Sequence, residues 1–567
     1  MPPTVEPSPA DAAALAAVSA VVNAAETSAP YRADVADLFS DYSFGRAWDE
    51  MFASPGVTRP AYDAVIKAVQ ALDADELKAR ADSLARSFLD RGVNFDVGGV
   101  ESPFPTDLIP QIIEAAEGDV LSRGVSQRVK ALEAFLADVY GDRRVVEDGV
   151  VPQRVLITSK YFERHAYGIE PANGVRIHVA GIDLIRDEQG KFRVLEDNVR
   201  IPSGVSYVLE NRRATMQVLP ELFSGVRART VSDYPAKLLQ ALRKAAPRGI
   251  SDPTIVLLTP GAYNAAYFEH TLLARTMGVE LVEGRDLVCS NNTVRMRTTS
   301  GERRVDVIYR RVDDAFLDPV HFIPTSVLGC PGLLTAARAG NVTIANAVGN
   351  GVADDKLLYT YVPDLVRYYL NEEPLIDNVD TFRLEEPAHL AEVLDRLDEL
   401  VLKPVDGSGG KGIVIGPQAS KDELDELRTK VLEDPRGWIA QQVVHLSTVP
   451  TVIGDKIAPR HVDLRPFAVS DGDDVWVLPG GLTRVALPEG SLVVNSSQGG
   501  GSKDTLVLDK VRFAGDADLT AEEPPPVEEV DTDGDGSIPP VALPAQLNMR
   551  SPDPGPLAAQ DQQQQQQ

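Results

Sequence analysis

Two short β-branched segments restrict the fold of this chain more than any other feature. One contains GIDLIRD and the other is KFRVLEDN, and a turn at Glu188–Gly190 joins them, so the sequence predicts a β-hairpin. Because side chains alternate along a strand, Glu196 and Asn198 should share one face, while Asp197 lies on the other. The hairpin should also bring Asp183 beside Glu196.

Further apolar runs alternate with helical patterns. The segments TIVLLTP, VDVIYRRV and VTIANA are typical of buried strands, and YFEHTLLARTMG between the first two is typical of a helix. Apolar residues recur at three- and four-residue spacing from Tyr62 to Leu89, and we expect the same helical pattern over Asp107–Val139. A second β-rich stretch runs from Leu400 to Val507. This alternation predicts α/β layers.

The composition indicates a folded core with unstructured ends. The formal net charge of −28 disfavours a nucleic-acid partner, because phosphate neutralisation supplies most of that affinity. No apolar run approaches the roughly 20 residues of a membrane span, and no signal peptide is evident, so we expect a cytoplasmic protein without a membrane partner. Residues 1–35 should be loosely ordered, and the acidic, Pro- and Gln-rich end should be disordered.

The hairpin offers ligands for a metal ion. The carboxylates of Asp183 and Glu196 and the amide of Asn198 are hard oxygen donors that suit Mg²⁺. The alternative is a polar hairpin end without a metal, in which Asp197 caps a turn.

A glycine-rich segment, LVLKPVDGSGGKGIVIG, could hold phosphate groups. An apolar strand carries Lys403, and the loop after it contains several glycines whose backbone amides can approach phosphate oxygens. It is not a Walker A loop or a dinucleotide fingerprint, because Gly follows Lys411 and the loop leads to a strand. The alternative is an ordinary flexible hairpin.

Two more segments carry polar residues in positions that are compatible with a binding site. In APRHVDLRPF the side chains of His461, Asp463 and Arg465 share one strand face, and the glycine-rich stretch that follows adds Arg484, Asn495 and Lys503. Such clusters favour a polyanion site, although a solvated sheet face has the same pattern. In NGVADDK, Lys356 should begin a helix after two aspartates, and a capped helix with a surface lysine is the alternative.

Together these segments resemble the circularly permuted ATP-grasp type 2 family, which is related to the ligase domain of glutathionylspermidine synthases. The resemblance runs from about Phe95 to Val507 and includes LEDNVRIPSGVSYVLENR, LTPGAYNAAYFEH, GNVTIANAVGNGVADDK, LVLKPVDGSGGKG and APRHVDLRPF. In the usual order of this fold the lysines precede the metal pair. Here the order is reversed, as a circular permutation requires, since moving the chain ends need not move the strands.

The sequence predicts an α/β (α+β) fold with a helical N-terminal region over 1–94, whose start is loosely ordered, and a disordered tail over 514–567. The resemblance implies that the core over 95–513 is a permuted ATP-grasp fold. It also implies a role for each candidate residue. The Mg²⁺ ligands would be Asp183, Glu196 and Asn198. ATP would contact Lys356, Lys403, Gly407, Ser408, Gly409, Gly410 and Gln441, with Gln442 as the alternative to the last. Arg465 would lie near the transferred phosphate, and Arg200 and Ser203 would face the acyl-phosphate. Further candidates for substrate contact are Arg310, Arg311, His178 and Asn495.

The reaction of that family is ATP-dependent ligation through an acyl-phosphate, which an amine then attacks. We therefore expect an ATP- and Mg²⁺-dependent carboxylate–amine ligase that uses small-molecule or peptide carboxylates and amines. Charge neutralisation by lysines, an arginine and Mg²⁺ suits phosphoryl transfer. Two alternatives stay open: a phosphotransferase acting on a non-carboxylate acceptor, and a non-catalytic nucleotide-binding scaffold.

Overall fold

The computed structural model describes residues 37–39, 42–97, 100–407, 410, 412–454, 456–495 and 499–510. The ends that the sequence predicts to be loosely ordered, 1–35 and 514–567, lie outside the described residues, as do Ser408 and Gly409. Within the described part, no helix is long and apolar enough to cross a membrane.

A nine-stranded, mostly antiparallel sheet forms the centre of the described structure. Seven of its strands follow one another in the order Val475–Val477, Phe467–Ser470, Val179–Arg186, Lys456–Arg465, Leu482–Val485, Gly501–Val507 and Thr106–Ile113. The other two pair at its side, Thr448–Ile453 with Lys456–Arg465, and Phe192–Asn198 with Val179–Arg186.

The predicted hairpin is confirmed. Val179–Arg186 and Phe192–Asn198, here called the acidic hairpin, pair antiparallel with Asp183 directly opposite Glu196. A register shift follows, because Leu184 pairs with Val194 and Leu195 is left as the extra residue of a bulge. The bulge turns Leu195 and Glu196 toward the same cavity, while Val194 stays in the core.

The prediction of helix over Asp107–Ile113 is wrong. These residues belong to the strand Thr106–Ile113, which runs parallel to Gly501–Val507 and is buried at every position after the first. The helix begins only at Ala115 and ends at Val139. The polar residues of the strand have internal partners, since Asp107 pairs with Lys503, which is itself buried. A fully buried strand lacks alternation, so periodicity alone cannot separate it from a helix.

The core lies on both faces of the central sheet. Successive residues of a strand pack into two different apolar clusters, one on each face of the sheet. For example, Leu506 belongs to one cluster and Val507 to the other. Helix Ala115–Val139 covers one face, and helices Ala74–Asp90, Val205–Val218 and Tyr234–Lys244 cover the other.

Two smaller sheets complete the α/β architecture. The first is parallel, in the order Thr343–Ala345, Val307–Arg310, Ile255–Leu258 and Glu280–Val282, which confirms the three buried strands predicted from the sequence. The second is antiparallel, in the order Thr381–Arg383, Trp438–Gln442, Leu400–Pro404 and Val414–Ile415. With helices Pro387–Asp395 and Lys421–Glu433 it forms a unit with its own apolar core, here called the lysine lobe.

The remaining described elements are short or peripheral. The stretch predicted as helical over Tyr62–Leu89 contains two helices, Asp63–Gln70 and Ala74–Asp90, and Asp73 caps the second. The other helices are Arg144–Glu147, Gln153–Ile157, Pro220–Gly225, Tyr267–Met277, Asp314–Leu317, Leu333–Arg338, Lys356–Tyr359 and Val362–Leu365. The other strands are Phe52–Ser54, Val57–Thr58, Asn94–Val97, Val100–Pro103, Leu287–Ser290, Thr293–Thr298 and Gly301–Arg304.

Candidate functional site

A cleft lies where the lysine lobe meets the acidic hairpin and the strand Lys456–Arg465. Part of its wall is apolar and belongs to a small hydrophobic cluster that is separate from the larger cores. The cluster members that line the cleft are Ile185, Leu195, Val379, Val444, Leu446, Leu492 and Val494. The charged part of the wall consists of Asp183, Glu196, Lys356, Lys403, Asp463 and Arg484. An apolar surface beside several converging charges suits a ligand with a flat ring and a polyanionic chain.

Lys403 is a cation in this cleft that has no partner among the described residues. It lies on the strand Leu400–Pro404, where its backbone pairs with Ile439. Its ammonium makes no hydrogen bond or ion pair with the residues that the structure describes. Burial lowers the pKa of Lys403 to about 8, and the nearby Glu196 carboxylate only partly offsets this effect. A half-buried ammonium of this kind would gain from an anion that enters the cleft.

Lys356 reaches the same cleft from the start of a helix, as predicted. The Asp355 side chain caps the helix Lys356–Tyr359 by accepting from the backbone N–H of Leu357 at 2.9 Å. The Lys356 ammonium donates to Oε1 of Glu196 at 3.0 Å and to the carbonyl oxygen of Gly407. The lysine therefore joins the acidic hairpin to the glycine-rich loop.

The described part of the glycine-rich loop lies over the charged end of the cleft. Gly407 and Gly410 line it, and both Gly410 and Gly412 have a φ of 76°, a left-handed conformation that favours glycine. The Tyr161 hydroxyl donates to the carbonyl of Asp406 at 3.0 Å, which fixes one end of the loop.

Asp183 is held by two guanidinium groups. Arg465 donates to both of its oxygens, through Nε to Oδ1 at 2.5 Å and through Nη2 to Oδ2 at 2.8 Å, and Arg484 donates to Oδ2 at 2.7 Å. Burial alone would raise the pKa of Asp183, but the two arginines lower it to about 2. These bonds use three of about four acceptor positions of a carboxylate, so one position on Oδ1 remains open.

Glu196 and Asn198 make fewer side-chain hydrogen bonds than Asp183 does. Oε1 of Glu196 accepts from Lys356, whereas its other oxygen has no hydrogen bond with the described residues. The Asn198 side chain makes no hydrogen bond with the described residues: its Oδ1 accepts none, and its Nδ2 is buried without a partner. Asp197 points away, as predicted, and pairs through both oxygens with Arg128 at 2.6 and 2.7 Å. The donor set of Asp183, Glu196 and Asn198 therefore keeps free oxygen capacity and fits a hard cation such as Mg²⁺. Histidine, cysteine and carboxylate side chains alone form no metal-binding group of three or more among the described residues.

A second pocket adjoins the cleft and shares Glu196, Lys356 and Gly407 with it. The other side chains that line it include Asn198, Arg200 and Asp354, and we call it the side pocket. Arg200 donates to Asp313 at 2.6 Å and stacks on the ring of Tyr161, 4.4 Å from its centroid.

Ser203 contributes only its backbone to these contacts. Its carbonyl accepts from Arg465 at 3.3 Å, and its side chain lines neither the cleft nor the side pocket. The helix after it, Val205–Val218, has its first amides occupied, because Glu269 accepts from the N–H of Gly204 at 2.8 Å and of Ser206 at 3.1 Å. That helix end already holds an anion and is not open to another.

The structure thus brings most of the predicted site together. Asp183, Glu196, Lys356, Lys403, Gly407, Gly410 and Gln441 line the cleft, as do Gln442 and Asn495, whereas Asn198 and Arg200 lie in the side pocket. The Gln441 amide donates to Oγ1 of Thr381 at 2.9 Å, so the lysine lobe holds it in place. Among the described residues that line the cleft, Arg465 contacts Asp183.

Three further candidates are buried away from both cavities. Arg310 donates to the backbone carbonyls of residues 312, 346 and 347, and it pairs with Asp314 at 2.7 Å. Arg311 pairs with Glu269 at 2.9 Å. His178 is fully buried, and burial lowers its pKa to about 4. All three belong to the interior of the fold.

The sequence analysis named Asp463 and Arg484 as members of a polar cluster but did not predict that they pair with each other. It assigned no site role to Tyr161, Asp313 and Asp354, which surround Arg200. A sequence signal existed only for the first pair, because Asp463 and Arg484 are opposite one another in neighbouring strands. Seeing it required knowing that those two strands pair.

The central sheet, the parallel sheet and the lysine lobe around one cleft define a circularly permuted ATP-grasp fold. The family model described as circularly permuted ATP-grasp type 2 matches residues 110–486. The chain belongs to this family. A glutathione synthetase-like effector from Globodera pallida has a similar solved structure, with a TM-score of 0.51 and 12% identity over 77% of this chain and 98% of its own.

Curated relatives cover most of the chain. An uncharacterized protein of Mycobacterium tuberculosis is 58% identical over 88% of this chain and 93% of its own length. One from Synechocystis is 49% identical over 82% of this chain and 98% of its own. A Frankia casuarinae protein named "Putative glutamate--cysteine ligase 2-2" is 45% identical over 88% of this chain, which spans 57% of that longer protein.

Proposed function

We propose that the protein is an ATP- and Mg²⁺-dependent ligase that joins a carboxylate to an amine through an acyl-phosphate. The observation that carries the proposal is the convergence of Lys356 and Lys403, from two different elements, on one cleft beside Asp183 and Glu196. Membership of the ATP-grasp family supports the use of ATP. The name of the Frankia relative refers to the same type of bond.

The chain's own residues would hold the nucleotide in a defined orientation. The apolar wall accepts the base near Gln441, and Lys356 and Lys403 neutralise the phosphates. Glu196, the acidic partner of Lys356, lies on the acidic hairpin beside Asp183, so the same hairpin can position both the phosphates and a metal. Asp183, Glu196 and Asn198 would hold Mg²⁺, which when bound supplies charge neutralisation and orients the phosphate oxygens.

Water exclusion is the second requirement, because an exposed acyl-phosphate hydrolyses. The glycine-rich loop is fixed at one end by Tyr161 and by the contact between Lys356 and Gly407. A loop held in this way can cover the phosphates while the side pocket stays connected to them. The acid and then the amine would approach through the side pocket.

A hydroxylamine screen tests this proposal. Carboxylic acids, including amino acids and small peptides, are incubated with Mg·ATP and hydroxylamine, and both ADP and acyl-hydroxamate are measured. We expect equal amounts of the two products with a suitable acid. Glu196→Gln and Lys403→Met should each lower both products by at least about 100-fold, since Glu196 would hold Mg²⁺ and Lys403 would neutralise the phosphates. Asp398→Asn, a change at an exposed carboxylate, is the matched control. ADP without hydroxamate for every acid would contradict the proposal.

A further inference from the structure

More carboxylates than cations line the side pocket. Three carboxylates line it, those of Glu196, Asp354 and Asp406, against the two cations Arg200 and Lys356. Lys356 and Glu196 pair with each other at 3.0 Å. Asp406 pairs with Lys160, which lies outside the lining, at 3.5 Å. Among the described lining residues, this leaves Arg200 as the cation that faces Asp354.

Arg200 already has a closer partner outside the lining. Its Nη1 lies 2.6 Å from Asp313, whereas its Nε lies 3.4 Å from Oδ2 of Asp354 and makes no hydrogen bond there. The ring of Tyr161 covers the guanidinium. The charge of Arg200 is therefore matched mainly by Asp313, which leaves Asp354 without a full counterion.

Asp354 keeps one oxygen available. Oδ1 accepts from the backbone N–H of Val199 at 2.7 Å, and Oδ2 has no hydrogen bond with any described residue. The side chain is only 14% exposed, so water can satisfy it poorly. A buried carboxylate oxygen with spare acceptor capacity at a pocket wall favours a cationic donor.

The geometry points to the side pocket as the subsite for the amine, with Asp354 as the group that binds the amine in its protonated form and then accepts a proton from it. The inference rests on the proposed function and names the residue that receives the second substrate. Asp313 is a positioning residue, because it neutralises Arg200 and so leaves Asp354 for the amine. Asp406, at the exposed rim, pairs with Lys160 at 3.5 Å, so it adds little net charge at the entrance.

The chemical step balances with these groups alone. Asp354 takes one proton from the ammonium, which frees the nitrogen lone pair to attack the acyl carbon. The new C–N bond forms, the C–O bond to the phosphate breaks, and inorganic phosphate leaves with that electron pair. The second proton on the nitrogen passes to the departing phosphate. Burial raises the pKa of Asp354 to about 7, despite the opposing effect of Arg200, which suits a group that must accept a proton near neutral pH.

A binding measurement tests the inference without knowledge of the acid. The full-length protein is saturated with Mg²⁺ and a non-hydrolysable ATP analogue, and putrescine and acetate are titrated separately by calorimetry. We expect putrescine to bind more tightly than acetate, and Asp354→Asn to weaken putrescine binding about tenfold or more, as the loss of a charged hydrogen bond predicts. Asp398→Asn should bind putrescine like the wild type. Tighter binding of acetate, no binding of putrescine to the wild type, or equal affinity in Asp354→Asn would each overturn the inference. The comparison of the two probes uses only the wild type, so it holds even if the variant does not fold.

A kinetic measurement separates Asp354 from a purely structural role. With an acid that gives hydroxamate, the rate of amide formation from putrescine is compared with that of hydroxamate formation. Hydroxylamine arrives as a neutral base, so Asp354→Asn should lower the ratio of amide to hydroxamate by about tenfold or more. An unchanged ratio would overturn the inference and leave the ligase proposal intact. Absence of hydroxamate from the wild type would instead refute the ligase proposal and leave the binding result to stand on its own.

Discussion

Substitutions of two neighbouring residues of the acidic hairpin should have different effects, one on stability and the other on activity. Asp197 and Glu196 are adjacent in sequence, but Asp197 faces the core and Glu196 faces the cleft. Asp197 and Arg128 form a two-pronged ion pair whose side chains are 0% and 6% exposed. We expect Asp197→Asn to lower the stability of the fold, and Glu196→Gln to lower activity while the fold remains.

The magnitudes follow from burial. Removal of one partner of a buried ion pair costs about 3–5 kcal/mol, because the other charge is left uncompensated. The asparagine oxygen can still accept one bond from Arg128, so the lower end, about 3 kcal/mol, applies to Asp197→Asn. Glu196 is 27% exposed in its pair with Lys356, and a pair of this kind contributes about 1 kcal/mol or less. A loss of about 3 kcal/mol is a large part of a typical total stability of about 5–15 kcal/mol.

Urea unfolding followed by tryptophan fluorescence measures the difference, and ADP release in the hydroxylamine assay measures activity. Asp197→Asn should unfold at clearly lower urea, whereas Glu196→Gln should unfold like the wild type and lose at least about 100-fold in activity. A double variant, Arg128→Met with Asp197→Leu, removes both charges and should recover most of the stability. Wild-type stability of Asp197→Asn together with destabilised Glu196→Gln would refute the assignment of the two faces.

Three further outcomes follow from the geometry. Since Lys403 has a pKa of about 8, its positive charge is lost as pH rises through 8. The affinity for ATP measured by calorimetry should therefore fall between pH 7 and 9.5, and Lys403→Met should show no such dependence. An equally steep fall in the variant would contradict this prediction. The pKa of Asp183 is lowered from 3.8 to about 2, so the ionised carboxylate stabilises the fold by about 2 kcal/mol above about pH 4, and this contribution disappears as pH falls toward 2. Arg465→Gln should reduce the dependence of the urea midpoint on acid pH. An unchanged pH profile would count against the pairing of Arg465 with Asp183. Gly204 has a φ of 114°, and an added Cβ would lie 2.8 Å from the Leu482 side chain, whereas Gly249 has a φ of 84° and open space around it. Gly204→Ala should therefore destabilise the protein by more than Gly249→Ala. Equal melting temperatures of the two variants would show that the close contact with Leu482 relaxes.

The local parts of the site were accessible from the sequence. Period-two alternation placed Glu196 and Asp197 on opposite faces, and the turn before the second strand set Asp183 opposite Glu196. The two aspartates before Lys356 predicted a capped helix, and Asp355 is its cap. These features depend on contacts within one element or one hairpin, which neighbouring residues determine.

The non-local parts were not accessible. The Arg484–Asp183 and Arg465–Asp183 contacts link segments about three hundred residues apart, and they follow only from the strand order of the central sheet. The bulge at Leu195 is invisible in an alternating pattern. Residues Asp107–Ile113 form a strand because burial on both faces removes the alternation that identifies strands.

The identity of the nucleotide product tests the central claim most directly. Phosphorus NMR of the hydroxylamine reaction distinguishes ADP with inorganic phosphate from AMP with pyrophosphate. The proposed site, in which Lys356 and Lys403 would contact the phosphates and Glu196 would hold Mg²⁺, predicts ADP and phosphate in amounts equal to the hydroxamate, and almost none from Glu196→Gln. AMP with pyrophosphate, or ADP formation that Glu196→Gln leaves unchanged, would contradict it.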